Sequence, residues 1–219
     1  MRLSLVKSLK RVADHGEVFT PDWLVEEMLD AVSHEAERID ARFLESACGS
    51  GNFVVAILRR KLATVHKKFS SSDFEKRHHA LFALMCIYGI ELLQDNAAEC
   101  RFNLVEVFES FIGPDAEPEW VLAALAVTEV NIIEGDALSM RAANGAPIVF
   151  PEWSYLTKGK FSRRDFSYDS LTQRASVKGT LFEDLSEHEI FVPTREYPPL
   201  TVREIAKLVR TAVPEGCDK

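Results

Sequence analysis

Residues 44–53, Leu-Glu-Ser-Ala-Cys-Gly-Ser-Gly-Asn-Phe, decide the fold. A short strand signal over residues 41–46, Arg-Phe-Leu-Glu between small residues, runs into the start of this stretch. Apolar residues then recur at helical spacing from 53 to 62. Gly49 and Gly51 allow a tight turn and let backbone N–H groups approach a ligand. The stretch therefore predicts a strand, a glycine turn and a helix whose N-terminus favours a negatively charged ligand group such as a carboxylate.

On the C-terminal side of this turn, strand and helix signals continue to alternate as far as residue 136. The predicted elements are strands at 86–91 and 129–134 and helices at 94–112 and 120–127. This alternation is typical of parallel strands joined by crossover helices. The sequence thus predicts an α/β fold with a mainly parallel central sheet flanked by helices.

Acidic residues follow two of the predicted strands. Ligands of open α/β sheets bind at the carboxyl ends of the strands. Glu91 ends the second strand, where it could accept hydrogen bonds from a ribose diol, and the apolar Leu92 could pack on an adenine ring. Asp136 ends the third strand and could accept from an adenine amino group. Each acid alone also fits an ordinary solvated loop. Together with the glycine turn after the first strand, however, the two acids make three strand-end signals in chain order, which favour a nucleoside cofactor.

These motifs resemble those of the adenine-N6 DNA methyltransferases, particularly the modification subunits of type I restriction systems. Phe19-Thr20-Pro21 resembles the motif that precedes the cofactor loop in that family. The loop itself is similar to residues 45–53, with Glu45 in place of aspartate. Residues 88–91 and 133–138 resemble the strand ends that bind ribose and adenine. The resemblance covers about residues 16–138.

The resemblance implies a Rossmann-like methyltransferase fold and S-adenosylmethionine as the cofactor. It also implies a cofactor site made of Phe19, Thr20, Pro21, Glu45, Ala47, Cys48, Gly49, Gly51, Asn52, Phe53, Glu91, Leu92, Asp136 and Ala137. Cys48 has no histidine or aspartate placed by motif to activate it, so we interpret it as a small packing residue.

The family's catalytic motif is absent from the chain. An Asn-Pro-Pro-Tyr or Asp-Pro-Pro-Tyr tetrapeptide should follow the fourth strand, where it binds the target amino group and stacks on the flipped base. At the expected place stands Phe150-Pro-Glu-Trp153. Glu152 and Trp153 are therefore the candidate catalytic residues, as acceptor and stacking ring. The alternative is that they are a solvent-exposed acid and a buried aromatic residue without base chemistry.

The chain divides into two predicted parts. Residues 1–150 form the cofactor-binding domain, with a helical lead-in over 1–40 in which Thr20 is the N-cap and Pro21 the first helical residue. Residues 151–219 form an irregular extension ending in a helix, which Thr201 and Glu204 announce at capping-box spacing.

Two smaller segments have their own predictions. The polar stretch 64–79 is expected to be a loop or an exposed helical insertion, because it contains a serine run among charged residues. Residues 148–150, Ile-Val-Phe, are expected to form the fourth strand.

Composition and charge limit the partners. The 219 residues carry a formal net charge of −8, whereas a protein that grips nucleic acid alone usually has a basic face. We therefore expect DNA contact through a complex with a second methyltransferase or specificity subunit, or through a homo-oligomer. No apolar run reaches the ~18 residues of a membrane span, and no signal peptide is recognised. Four cysteines without paired spacing favour a cytoplasmic protein, and the histidines show no metal-ligand pattern.

Three functions remain open from the sequence. The first is a DNA methyltransferase subunit that transfers a methyl group to an adenine amino nitrogen. The second is a catalytically silent subunit that binds S-adenosylmethionine and supports a separate methyltransferase or DNA-recognition chain. The third is a Rossmann dinucleotide-binding protein, which the sequence disfavours because Val54 replaces the third glycine of Gly-x-Gly-x-x-Gly.

Overall fold

The computed structural model describes residues 7–15, 17–170 and 192–210. The helices are α1 (Leu9–His15), α2 (Asp22–Ala31), α3 (Ser33–Ala36), α4 (Asn52–Phe69), α5 (Asp73–Met85), α6 (Gln94–Ile112), α7 (Glu119–Asn131) and α8 (Val202–Arg210). The strands are β1 (Phe43–Glu45), β2 (Ile87–Glu91), β3 (Ile132–Asp136), β4 (Arg141–Ala142), β5 (Val149–Tyr155), β6 (Lys160–Ser167), β7 (Arg195–Glu196) and β8 (Leu200–Thr201). No helix in these ranges combines the length and apolar character of a membrane crossing.

The first sheet contains the three predicted parallel strands, although β3 begins at Ile132 rather than at 129 because α7 continues to Asn131. β1, β2 and β3 pair in that order, with Leu44 opposite Tyr88 and Ile90 opposite Ile133, and β4 adds antiparallel to β3. The expected α/β fold with a mainly parallel, helix-flanked sheet is thereby confirmed. The helix predicted over 94–112 coincides with α6.

The connections place the main helices on one face of this sheet. Both crossovers step in the same direction, and right-handed crossovers of that kind put their helices on the same side. Ile87 and Ile132 accordingly share a core with residues of α4, α5, α6 and α7. Tyr88 and Ile90 point to the opposite face, where they pack against Ile148 and Phe150 at the start of the β5 region rather than against a helix. Because β1, β2 and β3 are parallel, their carboxyl ends all lie at the same end of the sheet.

Residues 64–79 do not form an exposed insertion. α4 continues to Phe69, and the hydroxyl of Ser72 caps α5 by accepting a hydrogen bond from the Glu75 amide at 3.3 Å. Val65 and His78 are buried in this segment. The helical alternative is thus confirmed. The expectation of an exposed insertion was wrong, because the polar residues form the outer faces of two helices whose inner faces belong to the core.

The predicted start of α2 is wrong by one residue. The helix begins at Asp22, and Pro21 occupies the N-cap position without a side-chain cap. Thr20 is thus not the capping residue. Its carbonyl instead accepts a hydrogen bond from the Asn52 side chain at 3.3 Å, which ties the lead-in to α4.

The region predicted to be irregular contains a regular hairpin. β5 and β6 pair antiparallel from Val149 opposite Ser167 to Tyr155 opposite Phe161, so the strand expected at 148–150 belongs to a second sheet. Mixed aromatic and charged residues hid its alternation. Residues 171–191 lie outside the described ranges. The capping box is confirmed, because the Thr201 amide donates to the Glu204 carboxylate at 2.7 Å.

Candidate functional site

The carboxyl ends of β1, β2 and β3 open into one cleft of about 530 Å³. The structure brings together there all the predicted cofactor residues except Pro21 and Gly51. Those that line the cleft are Phe19, Thr20, Glu45, Ala47, Cys48, Gly49, Asn52, Phe53, Glu91, Leu92, Asp136 and Ala137.

The loop between β1 and α4 requires glycine at two positions. Gly49 and Gly51 have φ values of +54° and +98°, which side chains rarely adopt. A Cβ atom on Gly51 would also lie 2.8 Å from the Cys100 Sγ. Gly51 is the N-cap of α4 and supplies no side-chain cap, so the uncapped helix N-terminus meets the cleft at Asn52. The N–H groups of such a terminus attract a carboxylate.

Glu91 fastens this loop to β2. Its carboxylate accepts hydrogen bonds from the Gly49 amide at 2.8 Å, the Leu93 amide at 3.0 Å and the Asn96 side chain at 3.4 Å. Only 7% of the residue is exposed. A carboxylate has about four acceptor positions, so three donors leave Glu91 able to accept from a ligand in the cleft.

Cys48 packs beneath the loop. Its Sγ lies 2.8 Å from the position that a Cβ on Gly89 would occupy, so β2 needs glycine there. A hydrogen bond with Cys100 and burial both raise the pKa of the Cys48 thiol. A protonated, buried thiol is a packing group rather than a nucleophile.

Apolar side chains form an exposed rim around the cleft. Leu138 is 94% exposed and Leu92 58% exposed, and Val18 and Met28 also line the cleft with exposed side chains. Asp136 holds the turn beneath Leu138, because its carboxylate accepts from the Leu138 amide at 2.9 Å. That bond lowers the pKa of Asp136. Exposed apolar groups gathered around a concave site are typical of ligand binding.

The cleft is acidic. Its lining contains the carboxyl groups of Glu17, Glu45, Glu91 and Asp136, and among the described residues it contains no lysine, arginine or histidine. Burial raises the pKa of Glu45. The field of these groups opposes a ligand with several negative charges and suits a neutral or cationic one.

No family model, curated protein or solved structure matches the chain. The function of the cleft is therefore argued from its own residues. In the parts of the chain that the structure describes, no three His, Cys, Asp or Glu side chains gather as a metal site would require.

The two candidate catalytic residues are not brought to the cleft. Trp153 is 1% exposed, and its Nε1 donates to the Asn131 Oδ1 at 3.1 Å. Glu152 forms ion pairs with Arg42, at 3.0 Å, and Arg164. Neither residue lines the cleft. These contacts match the alternative interpretation of a buried aromatic residue, with the acid held in ion pairs.

Sequence reasoning missed several lining residues, of which Asn96 is the most informative. It is 1% exposed although it is polar, and it lies in the first turn of α6, five residues after Glu91. An asparagine so close to a strand-end acid was the available signal. Glu17 and Met28 line the cleft through tertiary contacts that no local pattern announced.

Proposed function

We propose that the cleft binds S-adenosylmethionine as the cofactor site of a subunit of an adenine-N6-type DNA methyltransferase, with a Rossmann-like methyltransferase fold. The observation that carries the proposal is the convergence of the glycine turn, Glu91 and Asp136 in one acidic cleft. S-adenosylmethionine has a sulfonium cation, an amino-acid end and an adenine nucleoside. The cleft offers a group suited to each part.

The residues present fit this cofactor. Glu91 has acceptor capacity for ribose hydroxyls, and Asp136 for an adenine amino group. The exposed side chains of Leu92 and Leu138 suit the faces of an adenine ring. The α4 N-terminus suits the methionine carboxylate, and Glu45 the ammonium group. When bound, the cofactor supplies an activated methyl group, and the chain supplies binding and orientation.

The dinucleotide alternative fits less well. A pyrophosphate would bring negative charge into a cleft lined by Glu45, Glu91 and Asp136, besides Glu17, whose charge Arg11 already pairs. No arginine or lysine of the described lining would compensate it. Val54 is buried in α4 where the dinucleotide motif needs its third glycine.

The contacts of Trp153 favour a subunit that binds the cofactor while another chain supplies the base-binding residues. A ring that is 1% exposed cannot stack on a flipped adenine. The net charge of −8 also favours a partner that provides the phosphate contacts. We therefore propose that the chain acts within a restriction–modification or related complex, in which a second methyltransferase or specificity subunit contacts DNA.

Calorimetry with S-adenosylhomocysteine and with NAD⁺ tests the cofactor proposal. Wild-type protein should bind the first and not the second. Gly49→Val, at φ +54° in the cleft, should abolish binding, whereas Gly145→Val, at φ +79° in open space, should retain it. Equal heats for the wild type and Gly49→Val would refute the proposal. Adenine methylation of duplex DNA by the purified chain alone should be weak or absent, and strong methylation would refute the partner requirement.

A further inference from the structure

A buried polar residue connects the N-terminal segment to the proposed cofactor acid. Asn96 accepts a hydrogen bond from the Lys7 Nζ at 2.7 Å through its Oδ1. Its Nδ2 donates to the Glu17 carboxylate at 2.6 Å and, more weakly, to Glu91 at 3.4 Å. The side chain of Asn96 therefore contacts two acids that line the cleft, Glu17 before α2 and Glu91 at the end of β2.

Arg11 holds Glu17 in this arrangement. Its Nε and Nη2 donate to the two oxygens of the Glu17 carboxylate at 2.6 and 2.7 Å, and its Nη1 donates to Asp95 at 2.7 Å. The Glu17 side chain is 8% exposed and that of Arg11 25% exposed. A bidentate arginine–carboxylate pair that is mostly shielded from water is stronger and more directional than an ordinary surface ion pair.

Ion pairs and a hydrogen bond attach the N-terminal segment to α6. None of the side chains at 10–14 is buried. Lys7 adds an ion pair to Glu99 at 2.6 Å, so residues of the N-terminal segment reach the first turns of α6 at three acidic or amide side chains. A segment anchored this way should detach more easily than the core when salt screens its contacts.

The same segment forms one wall of the cleft. Phe19 lies against the glycine loop, with its ring 3.3 Å from the position that a Cβ on Gly49 would take. The Lys7 Nζ lies 5.9 Å from the centroid of the Phe19 ring. Displacing Glu17 and Phe19 would therefore remove two side chains of the cleft wall, including the ring that lies against Gly49.

We propose that residues 7–15 and 17–20 form a latch on the cleft and that Asn96 is a positioning residue that couples the closed latch to Glu91. The proposal rests on the cofactor cleft only for the identity of the ligand. Closed, the latch places Glu17 and Phe19 in the wall and keeps Glu91 aligned with the glycine loop. Open, it gives the ligand a path in and out, as mobile segments at binding sites commonly do.

Hydrogen exchange of the ligand-free chain tests the latch without any cofactor. Arg11→Ala and Asn96→Asp should each speed amide exchange in peptides covering 7–20 by about fivefold, because losing these contacts should raise the population of the detached segment by about that factor. Lys10→Ala is the matched control: it removes one charge from the same helix, its side chain is exposed, and it should leave exchange unchanged. In the wild type, raising NaCl from low to high concentration should reproduce the Arg11→Ala pattern. Peptides from α4 and α7 serve as the internal reference for the fold, because the latch contacts Asp95, Asn96 and Glu99 belong to α6 itself.

Unchanged exchange at 7–20 in both variants would overturn the latch. Faster exchange in α4 and α7 as well would mean that the residues only support the fold, and would also overturn the latch.

Dissociation of S-adenosylhomocysteine tests the coupling. In the wild type the dissociation rate should rise about fivefold with salt, whereas in Arg11→Ala it should already be fast and insensitive to salt. A general loss of stability would not remove the salt dependence. Salt dependence retained in Arg11→Ala would refute the coupling. If the wild type binds no S-adenosylhomocysteine, the proposed function fails, and the exchange experiment still decides the latch.

Discussion

The carboxylate of Glu91, at the end of β2, accepts a hydrogen bond from the backbone amide of Gly49 at 2.8 Å. Gly49 lies in the loop between β1 and α4, and Glu91 lies at the end of the neighbouring strand β2, 42 positions further along the chain. One acid thus fixes the glycine loop and borders the cleft. Its structural and ligand-binding roles can be separated only by a matched substitution.

Glu91→Gln should lower both stability and ligand affinity. The amide keeps the shape of the side chain but replaces one accepting oxygen with a donor that faces the Gly49 or Leu93 amide. The loss of charge-assisted hydrogen bonds should reduce the free energy of unfolding by about 2 kcal/mol in urea denaturation. S-adenosylhomocysteine affinity should fall at least about tenfold, which is ~1.4 kcal/mol.

Glu134→Gln is the control for this change. Glu134 lies opposite Glu91 in the register of β2 and β3 but does not line the cleft. It should retain stability and affinity near those of the wild type. Equal effects of the two substitutions would show that the negative charge at this end of the sheet, rather than the Glu91 hydrogen bonds, determines stability and affinity.

Gly51→Ala should destabilise the protein by about 2 kcal/mol or more. The substitution forces φ +98° on alanine and places its Cβ 2.8 Å from the Cys100 Sγ. Gly145→Ala, at φ +79° with no atom within 4 Å, should cost only about 1 kcal/mol, since it tests the backbone strain alone. Adding Cys100→Ala should recover part of the Gly51→Ala loss but none of the Gly145→Ala loss, measured by urea denaturation as a double-mutant cycle.

Trp153→Phe should lower the free energy of unfolding by about 2 kcal/mol, because it leaves the Asn131 Oδ1 buried without its donor and removes ring volume from the core. Asn131 also donates to the carbonyls of Met85 and Ile87 at 3.1 and 2.9 Å, so the loss should spread to the start of β2. S-adenosylhomocysteine affinity, measured below the unfolding transition, should be unchanged. Lost affinity in a folded Trp153→Phe protein would return Trp153 to the candidate site.

The parts of the cleft that the sequence predicted are those encoded locally. A glycine turn between a strand and a helix follows from backbone geometry, and the positions of Glu91 and Asp136 follow from where strands end. These features need only short-range patterns. The parallel sheet follows in turn from the alternation of strands and helices.

The parts that the sequence did not predict depend on tertiary contacts. Glu17 and Asn96 are 79 positions apart and meet only after α6 packs beside the lead-in. The hairpin of β5 and β6 and the buried side of α5 were missed because polar or mixed composition hides a face that the fold buries. Such burial is decided by neighbouring elements rather than by local propensity.

Mild acid should destabilise the protein through His78, whose ring is buried among aromatic side chains and whose Nδ1 bonds to the Phe74 carbonyl at 2.7 Å. Burial lowers the pKa of His78, and of the neighbouring His79, below the ordinary value. In the window below about pH 6.5 the unfolded chain binds protons that the native rings resist. Stability contributed by the neutral rings is thus complete above that pH and is lost as the pH falls.

Urea denaturation between pH 7.5 and 5.0 measures this loss, in a range where the carboxylates held by arginine, such as Glu17, remain ionised. His78→Asn keeps a side-chain donor without a titrating group, so its free energy of unfolding should depend less on pH than that of the wild type. His34→Asn, at an exposed position, should keep the wild-type dependence. A wild-type slope in His78→Asn would assign the acid sensitivity to other groups.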